Sequence, residues 1–69
     1  MKIRVNGEEK FFTNEDKGYS LSEILSQLGY KNNTVIVELN NLIINYESWR
    51  EKIVKDGDKL EIVSIVGGG

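Results

Sequence analysis

Apolar and polar residues alternate from Met1 through Val5, with Ile3 and Val5 on one side and Lys2 and Arg4 on the other, as in a strand with one buried face. Asn6-Gly7 supplies the two residues that tolerate positive φ in a type I′ turn, so a hairpin is predicted, returning from Glu8 to about Thr13. Phe11-Phe12 breaks the alternation and sends one ring to each face, leaving one of them exposed. The polar stretch from Thr13 to Gly18 reads as a loop. Ser20-Leu-Ser-Glu23 is a capping box, Tyr19 and Ile24 occupy the positions of a hydrophobic staple, and Leu21, Ile24, Leu25 and Leu28 form one apolar stripe. A helix of about eight residues is therefore predicted, with Gly29 ending it in the left-handed conformation; it is too short to stand without a sheet to lie on.

Val35 to Leu39 is β-branched and alternating, Asn40-Asn41 suits a tight turn, and Leu42 to Ile44 forms a short return strand. In Tyr46 to Glu51 the spacing of Ser48 and Glu51 predicts a helical turn capped by Ser48, with Trp49 as a lid on the core. Asp56-Gly57-Asp58 is a turn, and Lys59 to Ile65 is a last strand with Leu60, Ile62 and Ser64 on the core face. This order predicts an α+β fold of the β-grasp, or ubiquitin-like, type: a mixed sheet of four to five strands with one helix packed across one face. The first and last strands then pair in parallel at the centre, joined through a helical crossover.

Sixty-nine residues allow one small domain, and 39% apolar with 29% charged residues is a globular balance. The formal net charge of -2, with both signs scattered, offers no basic stripe for nucleic acid. The chain has no His and no Cys, which removes the commonest metal ligands, nucleophiles and general bases, so neither a metal site nor an autonomous enzyme is expected. No apolar run approaches the length of a spanning helix and no signal-peptide core opens the chain, so a cytoplasmic protein without membrane contact, monomeric on its own, is expected.

The chemistry is concentrated in Val66-Gly67-Gly68-Gly69. The chain divides into a folded domain, residues 1–66, and a flexible glycine tail, residues 67–69. Extended, the last four residues reach roughly 13 Å, enough to thread a terminal carboxylate into a partner's pocket. Without a Cβ, both backbone faces can be gripped and the terminal carbonyl carbon stays open to attack. A carboxylate becomes an acyl donor once ATP converts it to an adenylate. The chain has no phosphate-binding loop of its own, so the partner must supply the ATP site and no cofactor is expected to be bound here. Sulfur from a persulfide can then give a terminal thiocarboxylate. The alternative is that three glycines are only a flexible spacer.

The sequence resembles the ThiS family, the sulfur carriers of thiazole synthesis for thiamine. The resemblance covers essentially the whole chain and rests on Ile3-x-Val5-Asn6-Gly7, Leu25-x-x-Leu28-Gly29, Val35-x-Val37-Glu38-x-Asn40, Trp49, Asp56-Gly57-Asp58-x-Leu60-Glu61-Ile62-Val63 and Val66-Gly67-Gly68-Gly69. It implies that Gly69 is adenylated by an E1-like adenylyltransferase of the ThiF family and converted to a thiocarboxylate with sulfur derived from a cysteine desulfurase. Thiazole synthase of the ThiG family would then use that sulfur, and Gly68 would be the second obligatory tail residue. The chain departs from common members in lacking proline and in Tyr46-Glu-Ser of the connector. A molybdopterin-synthesis carrier, a ubiquitin-like modifier and a plain binding module remain the alternatives.

Two further features call for a reading. Asp56 and Asp58 offer too few oxygens for a hard cation, while Glu8, Glu9, Glu15, Asp16, Glu47 and Glu51 are scattered and read as solvated. Ile36, Val63 and Ile65 fall opposite the core-facing set, so an apolar patch is predicted on the helix-free face, a candidate partner-binding surface alongside Val66 and Gly67.

Overall fold

In the computed structural model, which describes residues 1–13, 18–31 and 34–65, Asn6 and Gly7 take φ of 51° and 85° and close the first hairpin. Its strands are β1 (Lys2–Val5) and β2 (Glu8–Phe11), paired antiparallel. The return strand ends two residues before the predicted Thr13; Phe11 is exposed and Phe12 packs against the core. A two-residue strand, β3 (Tyr19–Ser20), leads into helix α1 (Leu21–Leu28).

The helix begins and ends as its sequence dictates. The Glu23 N–H donates to Ser20 Oγ at 3.1 Å, and the Ser20 N–H donates to Glu23 Oε1 at 2.9 Å. Gly29 takes φ 92°, and the Tyr30 N–H donates to the Leu25 carbonyl at 2.9 Å, satisfying a carbonyl of the last turn. The two amides of the first turn that the box cannot serve are met from the distant connector. Leu21 N–H donates to the Lys52 carbonyl at 2.7 Å and Ser22 N–H to the Trp49 carbonyl at 3.0 Å.

After the helix come β4 (Val35–Leu39), the Asn40-Asn41 turn at φ 51° and 73°, and β5 (Leu42–Ile43), one residue shorter than predicted. A 3₁₀ turn spans Tyr46–Ser48, followed by β6 (Ile53–Val54) and β7 (Lys59–Ser64). The helical turn therefore lies earlier than the Ser48 cap predicted. Its N-cap is Asn45, without a side-chain cap bond, because burial of Trp49 sets the connector's path more strongly than a surface hydroxyl. Trp49 is buried, as expected of a lid, and its Nε1–H donates to the Ile44 carbonyl at 3.0 Å.

The main sheet has the order β2-β1-β7-β4-β5, with β1 and β7 parallel at the centre, which is the predicted β-grasp arrangement with five strands. A second, two-stranded sheet of β3 and β6 was not visible in the sequence. Leu21, Ile24 and Leu25 of the helix close one core with Ile3, Val5, Val37, Leu39, Leu60 and Ile62 of the sheet, together with Trp49 and Val54. Ser64 keeps the register of the core-facing row, opposite Val35, yet is exposed: the row runs on past the edge of the core there. Among the described residues no helix is long and apolar enough to cross a membrane.

Candidate functional site

Val66, Gly67, Gly68 and Gly69, to which the sequence assigns the chemistry, lie outside the described residues. The strand that leads to them is described, and it is held along both edges. On the β1 side, Asn6 leaves the sheet in the hairpin turn but its side chain continues the ladder. Asn6 Oδ1 accepts the Ile62 N–H at 2.7 Å and Asn6 Nδ2 donates to the Ile62 carbonyl at 3.2 Å. One carboxamide thus presents the donor and acceptor of one more strand residue. On the β4 side, the Ile65 N–H donates to the Thr34 carbonyl at 2.9 Å, so the backbone is anchored up to its last described residue before the tail.

The start of the same strand is fixed by the two turns. Asn40 Oδ1 accepts the Lys59 N–H at 3.0 Å, and Asn40 Nδ2 donates to Asp58 Oδ1 at 3.1 Å. Asp58 Oδ2 accepts the Lys55 N–H at 2.8 Å, while Asp56 Oδ1 accepts the Lys2 N–H at 2.7 Å. Both aspartates are thereby committed to turn geometry, and among the described residues no three acidic side chains converge to hold a metal ion.

The structure places Ile36, Val63 and Ile65 on the helix-free face and exposes them by 43%, 59% and 51%. Ile36 and Val63 are directly opposite one another across β4 and β7, and Ile65 follows two residues on. Together they form a continuous apolar surface beside the tail's point of departure, which isolated exposed residues would not. Ile65 and Ile36 also line a groove of about 270 Å³ with Ile43, Ile44, Tyr46 and Trp49. Ile43 and Tyr46 did not emerge from the sequence as part of this surface. Ile43 joins it because β5 pairs it with Glu38, in the same outward row as Ile36, and that pairing is a tertiary fact. Toward β2 the face becomes ionic: Glu9 carries Lys2 at 3.7 Å and Arg4 at 3.9 Å. Exposed pairs of this kind contribute little to stability.

Residues 3–69 match the sequence profile of the ThiS family. The chain belongs to that family. The sulfur carrier protein ThiS of Bacillus subtilis (strain 168) is 36% identical over 67 residues, covering 97% of this chain and 98% of that one. The crystal structure of the thiamine biosynthesis protein ThiS from Geobacter metallireducens superposes with a TM-score of 0.84 at 33% identity, and each chain is covered completely. A thiazole synthase from Paramagnetospirillum magneticum is 41% identical over 69 residues; all of this chain aligns with 20% of that enzyme, so it spans about a fifth of that relative's length. ThiS-family membership and the β-grasp expected from element order agree.

Proposed function

We propose that this protein is a sulfur carrier of thiazole synthesis for thiamine, a co-substrate acted on by enzymes, with Gly69 as its reactive group. The Gly69 carboxylate attacks the α-phosphate of ATP in an activating enzyme of the ThiF family, releasing pyrophosphate. Sulfur of a persulfide, derived from a cysteine desulfurase, then displaces AMP from the acyl carbon to give an acyl disulfide, and a second thiol attacks its outer sulfur, forming a disulfide and releasing the thiocarboxylate. Thiazole synthase receives that sulfur. Gly68 and Gly67 give the tail the bare backbone a narrow channel requires, and Ile36, Val63 and Ile65 dock the body while Val66 begins the tail.

The observation that carries this reading is the family match, which runs through Gly69, on a chain that covers the Geobacter ThiS from end to end. The thiazole synthase with a counterpart of the whole chain within its own length supports thiazole synthase as the recipient.

The test is an intact-mass measurement after incubation with ATP, the activating enzyme and a sulfur source. A carrier gains the mass of sulfur in place of one oxygen. A modifier would instead become joined to another protein's amine, and a binding module would show no change; either result would refute the proposal. Adding thiazole synthase or molybdopterin synthase to the charged protein then identifies the recipient.

A further inference from the structure

The helix-free face contains a local conflict. Register sets Glu38 of β4 directly opposite Glu61 of β7. Both are half-buried, and directly opposed residues stand with their Cβ atoms about 5 Å apart. Two carboxylates so placed repel and weaken the strand pairing they sit on. Among the described residues neither has a basic nitrogen within 4.0 Å. The nearest basic residues by register are Lys59, two positions before Glu61 on the same row, and Arg4, opposite Lys59 on β1, whose guanidinium lies against Glu9 instead.

The pair borders the apolar rows: Ile36 and Val63 face one another in the next row, and Ile43 lies opposite Glu38 on the other side. Any surface that covers Ile36 and Val63 must also strip water from the two carboxylates, and burying charge without a counter-charge opposes association. The occupant of this face therefore has to bring a cation. An arginine fits better than a lysine, because its planar fork of donors can serve two neighbouring carboxylates at once.

Resting on the docking role proposed above, we infer that thiazole synthase covers this face with an arginine seated on Glu38 and Glu61 and apolar side chains on Ile36 and Val63. The acid pair weakens the free carrier and is neutralised only in the complex.

The test compares Glu38→Gln and Glu61→Gln with Ile36→Asp, measuring thermal stability of the free chain and affinity for thiazole synthase and for the activating enzyme at low and high salt. Each Gln variant should melt higher by about 1 to 5 °C, through relief of repulsion, and bind about tenfold more weakly or worse at low salt. The difference from the unaltered chain should narrow at high salt. Opposite signs in stability and affinity are the signature, since a merely structural role would lower both. Unchanged affinity in the Gln variants would overturn the inference, as would a loss confined to the activating enzyme. If Ile36→Asp alone abolishes binding, the docking role stands and the arginine is refuted. If no variant changes affinity, both fall.

Discussion

Gly18 shows how a single residue can be fixed by a contact its neighbours in sequence do not reveal. It takes φ +71°, and a Cβ there would lie 2.6 Å from the Val54 carbonyl oxygen and 3.0 Å from Ile53 Cγ2. Gly7, at φ +85°, would meet nothing within 4 Å. Gly7→Ala should therefore show only the backbone penalty, about 1 kcal/mol, whereas Gly18→Ala adds a clash with backbone and should lose about 2 to 4 kcal/mol in urea unfolding. Equal losses would show that φ alone decides both sites. The residues read correctly from sequence, Ser20 with Glu23, Asn6-Gly7 and Gly29, act within a few positions of themselves. Gly18 acts through β6, which is why its spatial role was not legible.

Among the elements, β1, α1, β4 and β7 were legible because each carries its own period or cap, and β2 because the Asn6-Gly7 turn predicts its return. β3 and β6 were not: two residues cannot show a period, and the pair exists because the connector must reach the first turn of α1, where Lys52 and Trp49 supply carbonyls. The outer limits of β2 and β5 were missed for a related reason, since a strand ends where its partner does. Asn6 extends the parallel pairing by its side chain, and this yields a prediction at the element scale. Asn6→Gly keeps a residue suited to the turn but strands both polar groups of Ile62 on that side. The variant should lose about 1 to 2 kcal/mol, with amide exchange at Ile62 accelerated more than at other β7 amides. Uniform acceleration along β7 would instead mean that Asn6 acts only through global stability.

For the molecule as a whole, the proposed function makes the body a handle for its end. Strands β1 and β4, both asparagine clamps and the Thr34 carbonyl fix β7 as far as Ile65, and the apolar face begins at that strand. The candidate surface was half legible: alternation gave Ile36, Val63 and Ile65, while Ile43 and Tyr46 needed the fold to bring them alongside. The reading of the tail came from composition and spacing alone, since Val66 to Gly69 lie outside the described residues.

The most direct measurement is thiazole formation in a reconstituted system containing the activating enzyme, a sulfur source and thiazole synthase, with the carrier either intact, lacking its last two residues, or carrying Gly69→Ala. The truncated chain should form no thiazole and the alanine variant should be severely slowed, while both retain the melting temperature of the intact protein, as expected where the described core runs from Ile3 to Ile62. Thiazole formation at the normal rate by either variant would contradict the assignment of Gly69 as the group that carries sulfur.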